Sequence, residues 1–122
     1  MRRDLLLLEE MIAAAEQACA LVAGVSAADL AEDRMRRDAL LWNFTVLGEA
    51  AGQLSVATRE RFDGVPWRQP TRLRNRIVRG YWSIDLEVVH TTAELQLPGL
   101  VAELRQVLAQ LVDEDASGQD QP

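Results

Sequence analysis

Cysteine occurs once in this 122-residue sequence, histidine once, tyrosine once and lysine not at all. The lone Cys19 excludes an internal disulfide and fits a reducing compartment. It falls on an apolar stripe, where a thiol is core filler and not a nucleophile. The lone His90, between Val89 and Thr91, rules out the paired Glu-x-x-His motifs by which helical bundles hold metals, and no Cys and His cluster suits zinc. It reads as a partly buried or surface side chain, so no metal is expected. Apolar runs fall short of the ~20 residues of a membrane span. Arg2 and Arg3 are followed by Asp4, Glu9 and Glu10 before any signal-peptide core develops. These absences predict a soluble cytoplasmic protein with no membrane partner. Strand-like alternation is missing, and with it any strand that a glycine-rich phosphate loop could follow. The class that remains is all-α, in one domain.

What is there is helical spacing. Leu5, Leu8, Ile12, Ala15, Cys19 and Val22 form the stripe of a first helix, which Gly24 ends. Ser26 followed by Asp29 has the pattern of a capping start for a short helix. A longer helix is predicted from about Asp33 to Leu54, with two apolar stripes. Met35, Ala39, Trp42, Val46 and Ala50 make one; Leu40, Phe44, Leu47, Ala51 and Leu54 make the other. A helix apolar on two sides needs cover on two sides, so it should be both central to the bundle and shared with a second copy of the chain. Gly48, Ala50, Ala51 and Gly52 are small enough to let another helix come close, at some cost in helix propensity for the glycines.

Ser55 to Phe62 reads as a short helix, Gly64 with Pro66 as a turn, and Pro66–Gln69 and Thr71–Val78 as helical with Pro70 interrupting or starting a turn. Trp67 is expected to anchor this elbow by packing and not to serve as a platform for stacked bases. Gly80 sits where the helix should end. Ser83 or Asp85 can cap a helix from Leu86 to about Leu95, and Pro98 suits the first turn of a last one, striped by Leu97, Leu100, Leu104, Leu108 and Leu111. From Asp113 the sequence DEDASGQDQP has nothing to bury. The expected division is a helical domain over 1–112 and a disordered acidic tail over 113–122.

The formal net charge of −6 is unevenly spread. From Arg59 to Arg79 seven arginines meet only Glu60 and Asp63, a local +5, whereas six arginines face seventeen acids elsewhere, a local −11. An acidic protein binds nucleic acid poorly outside such a patch, so phosphate contact should be focused there and be salt-sensitive. Arg72, Arg74, Arg76 and Arg79 fall within eight residues, just before Gly80 and Tyr81. Guanidinium groups keep their proton near neutral pH, and their planar fork matches phosphate oxygens. The residues alone leave two readings open: a phosphate-binding cluster, or a solvated and salt-bridged helix face. Glu49, within Gly48-Glu49-Ala50 on an apolar helix, needs an arginine or a backbone donor as partner, whether as a structural pair or as part of a site.

Taken in order, Gly48-Glu49-Ala50, Pro66-Trp67, Arg74-Asn75, Gly80-Tyr81, Ile84-Asp85 and Leu97-Pro98 resemble the HepT-like family of the HEPN superfamily. The resemblance spans nearly the whole domain. It implies an up-and-down HEPN bundle of four main helices plus short ones, paired into a homodimer with two copies of the motif around one cleft. It implies the toxin of a type VII HepT/MntA-like toxin–antitoxin pair, acting by metal-independent RNA cleavage without a cofactor. The implied partner, besides RNA, is an MNT-type minimal nucleotidyltransferase antitoxin that silences the toxin by adding AMP to the motif tyrosine. The family signature is Arg, four residues, His, one residue, Tyr. By position the motif arginine is Arg74, its neighbour is Asn75 and the AMP acceptor is Tyr81, with Arg72 and Arg76 as phosphate- or RNA-binding residues and Glu49 in support. The histidine position holds Arg79.

That departure falls on the residue the chemistry needs most. In metal-free cleavage the 2′-hydroxyl loses a proton as it attacks phosphorus and the leaving 5′-oxygen gains one, work for a group titrating near neutrality. Histidine qualifies and arginine does not. Arg74 can stabilise charge on the phosphorane and Arg79 can grip a phosphate, but neither carries a proton. The expectation is a toxin-family fold with nuclease activity severely reduced or absent. The alternative is a non-catalytic module that holds RNA, a nucleotide or a partner surface. Both a lineage that lost the histidine and a single base change in a histidine codon are compatible with Arg79. Residues five apart on a regular helix point about 140° from each other, so a two-fold cleft or an unwinding helix end at Gly80 is needed to unite positions 74 and 79.

Overall fold

The computed structural model describes residues 2–119, with helices and turns and no strand among them. Helix α1 (Arg2–Val22) turns its stripe inward, burying Leu8, Met11, Ile12, Ala15, Ala18 and Val22. Gly24 then reverses the chain at φ 70°, a left-handed conformation that glycine adopts without a Cβ clash. The short α2 (Ala27–Glu32) starts on a full capping box: Ser26 Oγ accepts from the Asp29 amide, and the Asp29 carboxylate accepts from the Ser26 amide. Asp33 caps α3 (Arg34–Gln53) through the Arg36 amide, and Ser55 caps α4 (Val56–Arg61) through the Thr58 amide.

Asp4, at the start of α1, locks that second cap in place. Its carboxylate accepts from Ser55 Oγ and Thr58 Oγ1, both at 2.6 Å, and from the Ser55 amide at 3.0 Å. Burial raises the pKa of this carboxyl, yet the hydrogen bonds together hold it below the usual aspartate range.

Helix α5 (Arg68–Arg79) corrects the break expected at Pro70. The proline lies in the first helical turn, where its missing N–H has no intrahelical partner to lose, so the helix passes through it. Trp67, just before, is buried, and its Nε1 donates to the Phe62 carbonyl at 2.9 Å. After Gly80 a 3₁₀ turn (Tyr81–Ser83) leads to α6 (Leu86–Thr91), which Asp85 caps through the Glu87 amide.

Pro98 lies in the first turn of α7 (Leu97–Gln119), as its missing N–H suggested, but no break precedes that helix. A π-helical stretch (Thr92–Gln96) joins α6 to α7 without interruption. The wider turn shifts the bonding register, with the Leu97 amide reaching the Thr92 carbonyl, just before a proline that could not donate. Helix α7 continues to Gln119, so residues 113–119, where disorder was expected, are helical here. Arg61 holds both carboxylate oxygens of Glu114 there, anchoring the extension to α4. Residues 120–122 lie outside the described part.

Helix α3 runs through the centre, packed on α1 and α5, with α7 on the other side of α1. Leu40, Phe44, Leu47, Ala51 and Leu54 are buried as the first stripe required. The second stripe is covered only toward its C-terminal end: Ala50 is buried and Val46 half-buried, but Trp42 is 65% and Met35 86% exposed. No helix among the described residues is long and apolar enough to cross a membrane.

Candidate functional site

Twelve residues of α5, at about 100° per residue, give the helix three sides. Pro70 and Ile77 are buried in the core, with Leu73 half-buried beside them. Thr71, Arg74 and Val78 run along the flank next to α3. Arg68, Arg72, Arg76 and Arg79 fall at spacings of four, four and three on the solvent side, and all four are exposed.

The α3 flank is set by Gly48. A Cβ at that position would lie 2.3 Å from Arg74 Cβ and 2.5 Å from the Pro70 carbonyl oxygen, so only glycine lets the two backbones come this close. Thr71 Oγ1 donates to the Gly48 carbonyl at 3.2 Å across the same contact. Arg74 is thereby laid beside Glu49. Its Nη2 is 3.0 Å from Glu49 Oε2, and its Nη1 donates to Asn75 Oδ1 at 2.9 Å. The network runs on: Gln53 Nε2 donates to Glu49 Oε1 at 3.0 Å, and Arg3 Nη2 donates to Gln53 Oε1 at 2.7 Å. Glu49 has an arginine partner, but its carboxylate is exposed, so burial does not impose one. Arg74 and Glu49 remain partly open to solvent, at 33% and 52%. Beside them, Leu7, Trp42, Val46 and Ala50 line a shallow hollow that Arg74 edges, and the exposed Val78 and Trp82 lie near the end of α5.

The structure therefore does not gather the four arginines of the motif region into one cluster. Arg74 and Asn75 are brought together with Glu49, whereas Arg72, Arg76 and Arg79 belong to the outer strip. No member of that strip has an ion-pair partner among the described residues. Tyr81 goes elsewhere again. Its hydroxyl donates to Asp38 Oδ1 at 2.5 Å, and Asp38 is in turn 3.6 Å from Arg34. Burial, and then the bond to Asp38, push the phenol above its ordinary pKa. Asp38 and Glu49 are eleven residues apart on α3, so within one chain the two anchors lie about 16 Å apart along the helix.

Other candidates have structural work. The His90 ring Nε2 contacts the Val25 carbonyl and lies 3.9 Å from Glu94, pinning α6 to the chain after α1. Cys19 Sγ donates to the Ala93 carbonyl at 3.5 Å, and burial raises its thiol pKa, which disfavours the reactive thiolate. Two residues of the site were missed from sequence. Arg68 had a signal, since it stands four residues before Arg72 on the same side of a helix. Asp38 had none, because its contact with Tyr81 joins residues far apart in the chain.

Comparison with known proteins matches residues 11–107 to the family model described as "Ribonuclease HepT-like". A protein of Caldanaerobacter subterraneus named "Putative RNase" is 24% identical over 83% of this chain and 90% of its own length. The "Probable ribonuclease HepT" of Thermococcus cleftensis is 24% identical over 56% of this chain and 62% of its own. A longer protein of Methanocaldococcus jannaschii, named "Gamma-glutamylcyclotransferase and putative RNase", is 24% identical over 68% of this chain, which spans only 37% of that relative. No solved structure matches.

Proposed function

The chain belongs to the ribonuclease HepT-like family, and from that membership we propose that it is the RNA-directed toxin of a two-gene toxin–antitoxin pair, with cleavage lost at Arg79. The observation that carries this reading is the Arg74 network. An arginine positioned by Glu49 and Asn75, about one-third open to solvent, is placed to meet a phosphate and to stabilise the extra charge of a phosphorane. In the cleavage step the 2′-oxygen would bond to phosphorus and the bond to the 5′-oxygen would break, leaving a cyclic phosphate and a 5′-hydroxyl. The 2′-proton must be taken up and one returned to the 5′-oxygen. A guanidinium is no proton carrier, so with arginine at both positions this chain binds the substrate and stops.

The uncovered stripe of α3 supports a homodimer. Trp42 and Met35 sit on it, Arg74 edges it and Val78 and Trp82 lie nearby, so a second copy packed there would bring two motif segments to one boundary. Position 79 of each chain could then approach Arg74 of the other, which a single helix does not allow. Tyr81 is the AMP acceptor in this reading. Its half-buried ring leaves an edge for an MNT-type nucleotidyltransferase partner, and the hydroxyl that Asp38 holds would bond to the α-phosphorus of ATP, displacing pyrophosphate while its proton passes to Asp38.

Arg79→His tests the proposal. Metal-chelated RNA cleavage assays should show the protein as it stands near background and the variant higher by about 10²–10⁴-fold, the usual contribution of a positioned acid–base group. If the variant gains nothing while both forms bind RNA in a salt-dependent way, the second reading holds: a non-catalytic RNA-, nucleotide- or partner-binding module. The unpaired outer arginines favour that alternative, because they bind charge without needing the histidine.

A further inference from the structure

On the side of α5 away from Arg74 a cleft of about 570 Å³ opens between α5 and the segment running through the π-helical stretch into α7. Its floor is apolar, formed by Phe44, Leu47, Leu73 and Leu100. Arg72 and Arg76 stand on one wall, Gln96 and Glu103 on the other. The two arginines have no ion-pair partner among the described residues, and neither does Glu103.

We infer that this cleft seats one unstacked nucleobase of a single-stranded RNA whose phosphates lie on Arg72 and Arg76. The inference rests on the RNA-binding reading above and adds where, and by what chemistry, sequence is sensed. An apolar floor fits the face of a base, which in a duplex would be hidden by stacking, so the occupant must come from a single strand. Glu103 makes the cleft wrong for phosphate alone, since a carboxylate repels it. A carboxylate does accept from the exocyclic amine of a base, as acids do from the N4 of cytosine. The Gln96 amide supplies both a donor and an acceptor for the rest of the base edge. The cleft therefore favours the bases that carry an exocyclic amine, cytosine, adenine and guanine, over uracil. Because it lies across α5 from Arg74, about one helix diameter of 10 Å away, the base it holds belongs to a neighbour of the nucleotide presented to Arg74.

Gly99 makes the inference testable with little risk to the fold. It lines the cleft, and a Cβ placed there meets no atom within 4 Å, so Gly99→Phe fills the space without entering the core. Fluorescence anisotropy with oligo(C), oligo(A) and oligo(U) of equal length would be measured for the full chain and for Gly99→Phe, Glu103→Gln and the Arg72→Gln, Arg76→Gln pair. The expected result is tighter binding of oligo(C) and oligo(A) by the unaltered chain. Gly99→Phe should cost about fivefold or more on the preferred oligomers, the scale of one seated base, with little change in salt dependence. Glu103→Gln should raise oligo(U) relative to the others, and the double arginine variant should weaken all three together. Salt-dependent RNA binding with a ranking that neither Gly99→Phe nor Glu103→Gln alters would overturn the cleft inference and leave the RNA reading standing. Absence of RNA binding even at low salt would overturn both. A Gly99→Phe variant that binds RNA normally but no longer assembles with a co-expressed antitoxin would give the cleft to a protein partner instead.

Discussion

Two sides of one helix carry the same residue type to opposite ends. On the α3 flank of α5, Arg74 has two of its nitrogens committed, to Glu49 at 3.0 Å and to Asn75 at 2.9 Å. On the solvent side, Arg68, Arg72, Arg76 and Arg79 have no ion-pair partner among the described residues. Residue identity does not separate them. Register does, because an even step of two residues along a helix turns a side chain by about 200°, from the packed flank to water. A held guanidinium offers geometry, as a reacting phosphate requires. A free row offers charge, as a backbone of phosphates requires. One basic segment can thus serve two purposes that a charge count would merge.

The largest expected effect breaks the held side. Gly48→Val should destabilise the protein by about 1–3 kcal/mol or more, since the added atoms meet the Arg74 Cβ and a carbonyl oxygen that cannot swing away. Chemical denaturation measures it, with Arg76→Gln as the counterpart, which should stay within about 0.5 kcal/mol of the parent. Equal stability of the two variants would show that α5 is free to shift and that Arg74 is held no better than its neighbours.

The free side is sharpened by salt. For single-stranded RNA, each phosphate left without its arginine should lower the slope of log K against log salt by about 0.7, so Arg72→Gln and Arg76→Gln together should lower it by about 1.4. A slope that does not move would mean that the strip is solvated and idle. Glu49→Gln divides the sides more finely. An ion pair as open as this one contributes about 0–1 kcal/mol to stability, so the midpoint should hardly change. In the Arg79→His background, however, cleavage should fall by about tenfold or more, because Arg74 loses the charge that orients it. Unchanged cleavage would remove Glu49 from the site.

The helices themselves were legible because their signals are local. The caps at Ser26, Asp33, Ser55 and Asp85 depend on contacts two to three residues away, and the stripes of α1, α3 and α7 depend on spacings of three and four. Pro70 misled because a missing N–H ends a helix only where a carbonyl was waiting for it. Pro70 sits too early for that, whereas Pro98 was read in its place and the π turn joining α6 to α7 before it left no local signal. Helix through Gln119 was hidden because the acidic segment has no stripe of its own and leans on Arg61, far back in the chain. The site divides along the same line. An arginine beside Glu49 was expected on the premise of a buried carboxylate, which the exposed Glu49 does not meet; that Arg74 stands there depends on the Gly48 contact, a tertiary fact.

The smallest expected effect concerns the tie between α3 and the turn that follows α5, at Tyr81. The chain has one tyrosine, so phenolate absorbance reports this residue without overlap from another. Its titration should lie above the ordinary value of 10.0, because burial and then the bond to Asp38 both favour the neutral phenol. A group whose folded pKa is raised lends stability that is complete below the unfolded value and disappears as pH rises through the folded one. The tie therefore holds across the neutral range and weakens only in strong alkali. Asp38→Asn should lower the titration part of the way, since burial is the larger cause and survives the substitution. A wild-type titration at the ordinary value would mean that the hydroxyl is not held. Tyr81 would then belong with the free arginines, an exposed group that any modifying enzyme reaches unaided, and not with the side of α5 that α3 keeps in place.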